Sequence, residues 1–345
     1  MESQALTSKD PAVTTVLGSE PLTVETLPEG LTADPTPREA IYIRNNLDVP
    51  AVPSEPWTVE LVGTGTPAQL TLDEIFGSLP RHEVTMVLQC AGNGRRRLPE
   101  PVPGVQWDRG GMACVEWSGV LLADLVAAYG GPERDFAYVT VLGGDAPADD
   151  PSRVERSVPS HAALADGLLA DRMNGEPIPE IHGGPIRFVM PGYFAVNSVK
   201  WVRRIAFTDE ETDAEIQRVR YRLVPPGEEP GPEHRPVWAM GPVSHILEVR
   251  SAPEGVTVEG VAFSGGDPIE AVEVTTNGEN WQNATLEPER DRFAWRRFQA
   301  TLPAGTKWVA ARCRTGVATQ PRHTTPNRDG YAIDGWQELS VHVEV

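Results

Sequence analysis

The stretch Pro225-Pro226-Gly227-Glu228-Glu229-Pro230-Gly231-Pro232-Glu233-His234-Arg235-Pro236-Val237-Trp238-Ala239-Met240-Gly241-Pro242 divides the chain into two kinds of sequence. It carries six prolines and three glycines. Proline lacks a backbone donor and glycine weakens regular structure, so the stretch reads as an inter-domain linker. Beyond it the pattern is strand only. Val256 to Glu259 and Val272 to Thr276 alternate apolar and polar residues, the latter up to Asn277-Gly278, a hairpin signal. Lys307 to Cys313 and Leu339 to Val345 follow suit. About seven short strands in roughly a hundred residues predict an immunoglobulin-like sandwich.

Before the linker, strands mix with short helices. Strand patterns cover Trp57–Val62, Val84–Leu88, Phe136–Leu142, Ile186–Met190 and Val199–Phe207. Thr71-Leu72-Asp73-Glu74 has capping-box spacing and predicts a helix running to about Leu79, ahead of Pro80. Val120 to Tyr129 reads as a helix stopped by Gly130-Gly131. No regular strand–helix–strand rhythm is present, so this region is expected to be α+β. The first forty residues are polar and broken by Pro28, Gly30, Pro35 and Pro37. The expected organisation is an N-terminal arm over 1–40, laid on the surface or disordered, a catalytic domain over 41–224, the linker over 225–243 and the sandwich over 244–345.

Composition narrows the function. The 345 residues hold 30 Lys and Arg against 49 Asp and Glu, a formal net charge of −19, which disfavours a nucleic-acid partner. Glycine and proline total 65 (32 and 33), above the usual ~12%, favouring turns and strands over long helices. No apolar run approaches the ~18 residues that span a bilayer, so no membrane association is expected. The start, MESQALTSKDPAVTT, lacks a basic stretch followed by an apolar one and has no twin arginine. The expected compartment is therefore the cytoplasm, or the periplasm if an export signal has been trimmed. Three cysteines without a CxxC exclude a disulfide framework and a structural zinc site.

In so acidic a chain, cations set in apolar or glycine-rich turns are informative. Arg44 in IYIRNN, Arg95-Arg96-Arg97 in CAGNGRRR, His182 and Arg187 in HGGPIRF, and Lys200 in NSVKW have this setting. Singly, each reads as half of a salt bridge. Recurring beside glycine-rich turns, they suit an anion with many oxygens, such as phosphate, although no Walker loop or GxGxxG is present. Cys90 precedes a glycine turn and three arginines, a setting that favours thiolate, the form that attacks or ligates. A small core cysteine and a Cys90–His182 nucleophilic pair are the other readings open at this point. Cys114 and Cys313 read as core fillers.

The runs VLQCAGNGRRR, GVQWDRGGMACVEWSGVLLADLV, MNGEPIPEIHGGPIRFVMPG and SVKWVRRI, in this order, resemble the molybdenum-cofactor domain of the sulfite oxidase family. The tail, with GDPIEAVEVTTNGENWQNA and TQP, resembles that family's immunoglobulin-like dimerisation domain. The resemblance implies one molybdopterin, with Cys90 as the protein ligand of molybdenum. Family cofactor contacts fall on Tyr42, Ile43, Arg44, Asn45, Asn46, Asp145, His182, Arg187, Ser198, Val199 and Lys200. Arg44 and Arg95 fall in the family's oxyanion pocket, with Trp107 beside it.

The implied activity is two-electron oxidation of sulfite to sulfate by oxygen-atom transfer at molybdenum, in a homodimer. No haem motif such as CxxCH is present. The resemblance therefore implies an external electron acceptor, a cytochrome or oxygen. This chain departs from the family at several points. Asn46 replaces a histidine, Gly94 intervenes before Arg95, and Asp171 stands where a tyrosine of an AYEMNG motif is usual. An arginine of the pocket falls on Asp329 unless Arg328 substitutes for it. Asp171 motivates an alternative substrate, another small oxo-acid or an S- or N-oxide. A cofactor-free binding protein is the alternative from another class.

Overall fold

The computed structural model describes residues 8–51, 55–145 and 154–343. Before the linker, two five-stranded sheets enclose one core. The first orders Glu176–Pro177, Leu168–Met173, Met112–Leu121 and His82–Gln89, with Arg187–Val189 also pairing with Leu168–Met173. All its pairings are antiparallel. The second orders Ala68–Thr71, Thr58–Val62, Val202–Thr208, Tyr138–Gly143 and Arg156–Pro159. Only the pairing of Val202–Thr208 with Thr58–Val62 is parallel there. The core between the sheets joins Val59, Leu61, Val120, Val141, Leu169 and Phe188. The α+β expectation is borne out.

The helices are short. Leu72–Phe76 carries the capping box read from the sequence. Glu74 N–H donates to Thr71 Oγ1 at 3.3 Å, and Thr71 N–H donates to the Glu74 carboxylate at 2.8 Å. The helix expected from Val120 starts two residues later, as Leu122–Ala128, because the preceding strand runs through Leu121.

Residues 8–40 differ from the arm expected of them. Thr14–Ser19 and Leu22–Thr26 form a hairpin, and Ile43–Arg44 adds a third strand. The polar residues that made this stretch read as surface are satisfied inside. Glu25 accepts backbone N–H bonds from Asp108 at 2.7 Å and Gly110 at 3.0 Å, and Thr26 Oγ1 donates to the Ala40 carbonyl at 2.7 Å. Buried polar groups with partners carry no desolvation penalty large enough to expel them.

After the linker, two four-stranded sheets face each other as a β-sandwich. One orders Val243–Ala252, Gly255–Phe263, Arg296–Leu302 and Thr285–Leu286; the other orders Gln282–Asn283, Ile269–Thr275, Trp308–Thr315 and Val341–His342. Val256, Val258, Val272, Val274, Phe298 and Cys313 fill the space between them. Gly278 takes the positive φ (76°) that its turn requires. Glu344 and Val345, part of the last strand pattern, lie outside the described residues.

The linker stretch is not a free tether. Its first half is exposed, while Pro236, Val237 and Met240 are buried, with bridges from Arg222 to Pro236 and from Tyr193 to Ala239. One apolar cluster joins Val87, Met112 and Phe194 to Val243, Val261 and Trp295, so the two parts share a core. Arg97 adds a hydrogen bond to the Ser340 carbonyl at 3.0 Å, and Arg109 donates to that of Ile246.

Candidate active site

Strand ends converge on one cavity. Cys90 directly follows His82–Gln89, Arg44 ends the third N-terminal strand, and Arg187 opens Arg187–Val189. Asp145 lies two residues beyond Tyr138–Gly143, and His182 ends the 3₁₀ turn Glu180–His182. Asn45, Asn46, Ser198, Val199 and Lys200 complete the wall together with Tyr42. Thus most of the residues named from the sequence meet in space.

Their partners define the site's electrostatics. Lys200 Nζ donates to Asn45 Oδ1 at 2.5 Å, to the Ile181 carbonyl at 3.0 Å and to the Arg44 carbonyl at 3.2 Å. Arg187 is buried and donates to the carbonyls of His182 (3.0 Å) and Ser198 (3.2 Å), with its guanidinium 5.1 Å from the Trp117 ring. Arg44 donates to the Asn45 carbonyl and to Asn46 Oδ1 at 2.9 Å. Burial pushes Arg187 down to about 10 and Lys200 well below its usual value, Arg187 adding to the latter shift. Burial raises Asp145 to about 6, against the pull of Lys200. Tyr42 is raised well above the usual phenol range by burial, with Cys90 the next cause.

Among the cavity residues that escaped the sequence reading, Arg156 and Tyr221 bear on its chemistry. Arg156, buried at the start of Arg156–Pro159, donates to the Ile216 carbonyl at 2.8 Å and to Asn197 Oδ1 at 2.9 Å. Its Nε has no hydrogen-bond partner among the described residues, and burial lowers the guanidinium to about 10. Tyr221 stacks on Tyr331 (centroids 5.0 Å apart, planes at 18°) and donates to Asn46 Oδ1 at 3.3 Å. Its φ of 44° is unusual for a bulky residue. The signal available for Arg156 was a cation inside the alternating run RSVP. Tyr221 had no local signal, because its backbone conformation is set by tertiary packing.

Ile43, Arg95, Trp107 and Asp171, all expected at the site, do not line the cavity. Ile43 points away from it, into a small core with Leu22, Val24 and Ile181, because strand alternation puts Tyr42 and Arg44 on the other side. Arg95 is consumed by backbone acceptors. Its guanidinium donates to the Asp329 carbonyl at 2.8 and 3.0 Å and to that of Val105 at 2.9 Å, and lies 5.4 Å from the Tyr331 ring centroid. Arg97 pairs with Asp108 at 2.6 Å, so both guanidinium groups have partners other than Cys90. Trp107 is fully buried, edge-on to Tyr42 at 5.7 Å.

Asp171 is corrected most clearly. It occupies the register shift between Ala170 and Arg172, where the extra residue turns the side chain out to Arg81 at 2.5 Å. Arg328 pairs with Asp329 at 2.9 Å and also lies outside the cavity wall.

The donor set fits an anionic cofactor with a soft metal. Arg44, Arg156, Arg187 and Lys200 face a single carboxylate, Asp145, in a chain of net charge −19. Lys200, lowered by burial and by the charges of Arg187 and Arg44, would be relieved by an anion, and the unpartnered Arg156 Nε is a donor left for one. The Cys90 sulfur, in the same wall, is a donor of the soft kind such a metal takes.

Comparison with known proteins agrees. Residues 46–216 match the oxidoreductase molybdopterin binding domain, and residues 240–344 match the Mo-co oxidoreductase dimerisation domain. The two parts of the chain thus carry the domain pair of the molybdopterin-binding oxidoreductases. Human mitochondrial sulfite oxidase is 32% identical over 362 residues, covering 95% of this chain and 65% of that protein. Chicken sulfite oxidase is 35% identical over 335 residues, covering 87% and 72% respectively. The chain belongs to the sulfite oxidase family. It spans just under two thirds of the length of the mammalian relatives it matches. The fold also matches the sulfane dehydrogenase SoxCD of Paracoccus pantotrophus, with a TM-score of 0.79 at 22% identity over 98% of this chain and 88% of that one. No helix among the described residues is long and apolar enough to cross a membrane.

Proposed function

We propose that this chain oxidises sulfite to sulfate in a cavity that holds a molybdenum cofactor. The observation that carries the reading is one cavity walled by Cys90, four cations and Tyr221. When bound, the cofactor supplies the two-electron oxygen-atom chemistry. The chain supplies binding, orientation and charge. Cys90 is the metal ligand. Arg187, Lys200, Asn45 and Ser198 hold the pterin and its phosphate, and His182 and Asp145 complement the ring's acceptors and donors. Arg44 and Arg156 attract the oxyanion. The Tyr221 phenol, whose single proton goes to Asn46 Oδ1 at 3.3 Å, would donate to the oxyanion on releasing that long bond.

Asp171 no longer motivates another oxo-acid, because Arg81 neutralises it outside the cavity. Electrons leave to an external acceptor, a cytochrome or oxygen. The sandwich is assigned to homodimer formation and to the immunoglobulin-like class. Its strands, lettered in chain order, run A-B-E-D in one sheet and C′-C-F-G in the other. The catalytic unit is taken to begin with the N-terminal hairpin rather than at residue 41, because that hairpin pairs with Ile43–Arg44.

The test is turnover by protein produced in a host that makes the cofactor. Sulfite-dependent reduction of cytochrome c or ferricyanide, saturable in sulfite and proportional to bound molybdenum, is expected. Full molybdenum loading without sulfite turnover would contradict the substrate assignment.

A further inference from the structure

The N-terminal segment reaches the cavity wall from outside. Lys9 is only 7% exposed. Its Nζ lies 2.8 Å from the Arg38 carbonyl oxygen and 3.1 Å from His182 Nε2. The position is fixed by the fold. Asp10 N–H donates to the Glu39 carbonyl at 3.2 Å, Leu27 N–H donates to the Val13 carbonyl at 2.8 Å, and Arg38 donates to the Pro177 carbonyl at 3.1 Å. Leu22, Val24 and Ile43 pack with Ile181, next to His182.

His182 is buried and lines the cavity. Burial, then the nearby charges of Lys9, Lys200, Arg187 and Arg38, hold its pKa well below the usual value, so the ring is neutral. A neutral imidazole carries one N–H, and the partner of one nitrogen decides which. An ammonium group has three donors and no lone pair. Against the ammonium form of Lys9 the Nε2 atom must accept, which puts the proton on Nδ1. No partner of Nδ1 is found among the described residues.

We propose that Lys9 is a positioning residue that fixes His182 as the Nδ1–H tautomer, so that the ring offers the bound pterin a donor rather than an acceptor, and that cofactor retention therefore depends on the docked N-terminal segment. This rests on the cofactor reading of the cavity. Its chemistry selects an acceptor atom of the pterin ring as the partner of His182.

Two readouts test it. In ¹⁵N-labelled apoprotein at about pH 6, below the value of about 7 to which burial lowers Lys9, long-range ¹H–¹⁵N correlation reports the tautomer. His182→Asn identifies the signal. The wild type is expected to show Nδ1–H, Lys9→Met to lose that bias, and Lys9→Arg, which can only donate, to keep it. In protein purified from a cofactor-competent host, Lys9→Met should retain several-fold less pterin, measured as its fluorescent oxidation product, while Lys9→Arg retains it.

An Nε2–H tautomer in the wild type overturns the proposal, and that measurement stands even where Lys9→Met fails to fold. Folded Lys9→Met with unchanged tautomer, or with wild-type pterin content, overturns it as well. A wild type that binds no pterin removes the cofactor reading, while the tautomer still decides what Lys9 does to His182.

Discussion

At the residue scale, charge placement decides what each side chain contributes. Arg44 faces the cavity with its guanidinium held by Asn45 and Asn46, whereas Asp171 is spent on Arg81. Arg44→Ala should therefore weaken sulfite binding by about 1.5–3 kcal/mol, a tenfold or greater rise in KM. Asp171→Asn should leave KM unchanged. Steady-state kinetics at matched molybdenum loading checks both, and a KM shift in the second variant would bring Asp171 back into the pocket. Asp145 gives a pH signature. Its carboxyl rises from 3.8 to about 6 on folding, so between those values the folded state binds more protons than the unfolded one. Stability from this group thus falls as pH rises through that window and stays lower above it. Asp145→Asn apoprotein should melt higher than wild type near pH 8, with the difference vanishing near pH 4. Thermal unfolding across that range checks the sign.

At the element scale, what was legible in the sequence was local. The capping box at Thr71 and the turn at Asn277-Gly278 are fixed by neighbouring residues, and both were read correctly. The N-terminal hairpin was missed because its third strand and the backbone groups that satisfy Glu25 come from far along the chain. Arg156 and Tyr221 were missed for the same reason, since they meet across the cavity from segments 65 residues apart. Asp171 was misplaced because a one-residue register shift, invisible in a linear pattern, reverses a side chain. The turn carrying His182 yields its own prediction. Gly183 has φ 103°, and a Cβ there would sit 2.7 Å from Lys200 Cβ. Gly175 has φ 78° with nothing within 4 Å. Gly183→Ala should cost about 2–3 kcal/mol and lower cofactor loading, against about 1 kcal/mol for Gly175→Ala. Equal unfolding midpoints for the two variants would show that the close approach to Lys200 is unimportant.

At the scale of the whole molecule, the sandwich and the catalytic part are continuous through one apolar cluster and the bonds from Arg97 and Arg109. The match of residues 240–344 to a dimerisation domain leads to the expectation that two such bodies associate. Sedimentation equilibrium should return twice the 37.5 kDa chain mass, and a monomer at micromolar concentration would count against the dimer. Everything proposed for the cavity requires that it hold molybdenum through the Cys90 sulfur. X-ray absorption at the molybdenum edge, on wild-type and Cys90→Ser protein, tests it most directly. The variant is expected to keep its fold and its metal but to lose one sulfur from the molybdenum shell. An unchanged sulfur count, or a wild type with no molybdenum at all, would contradict it.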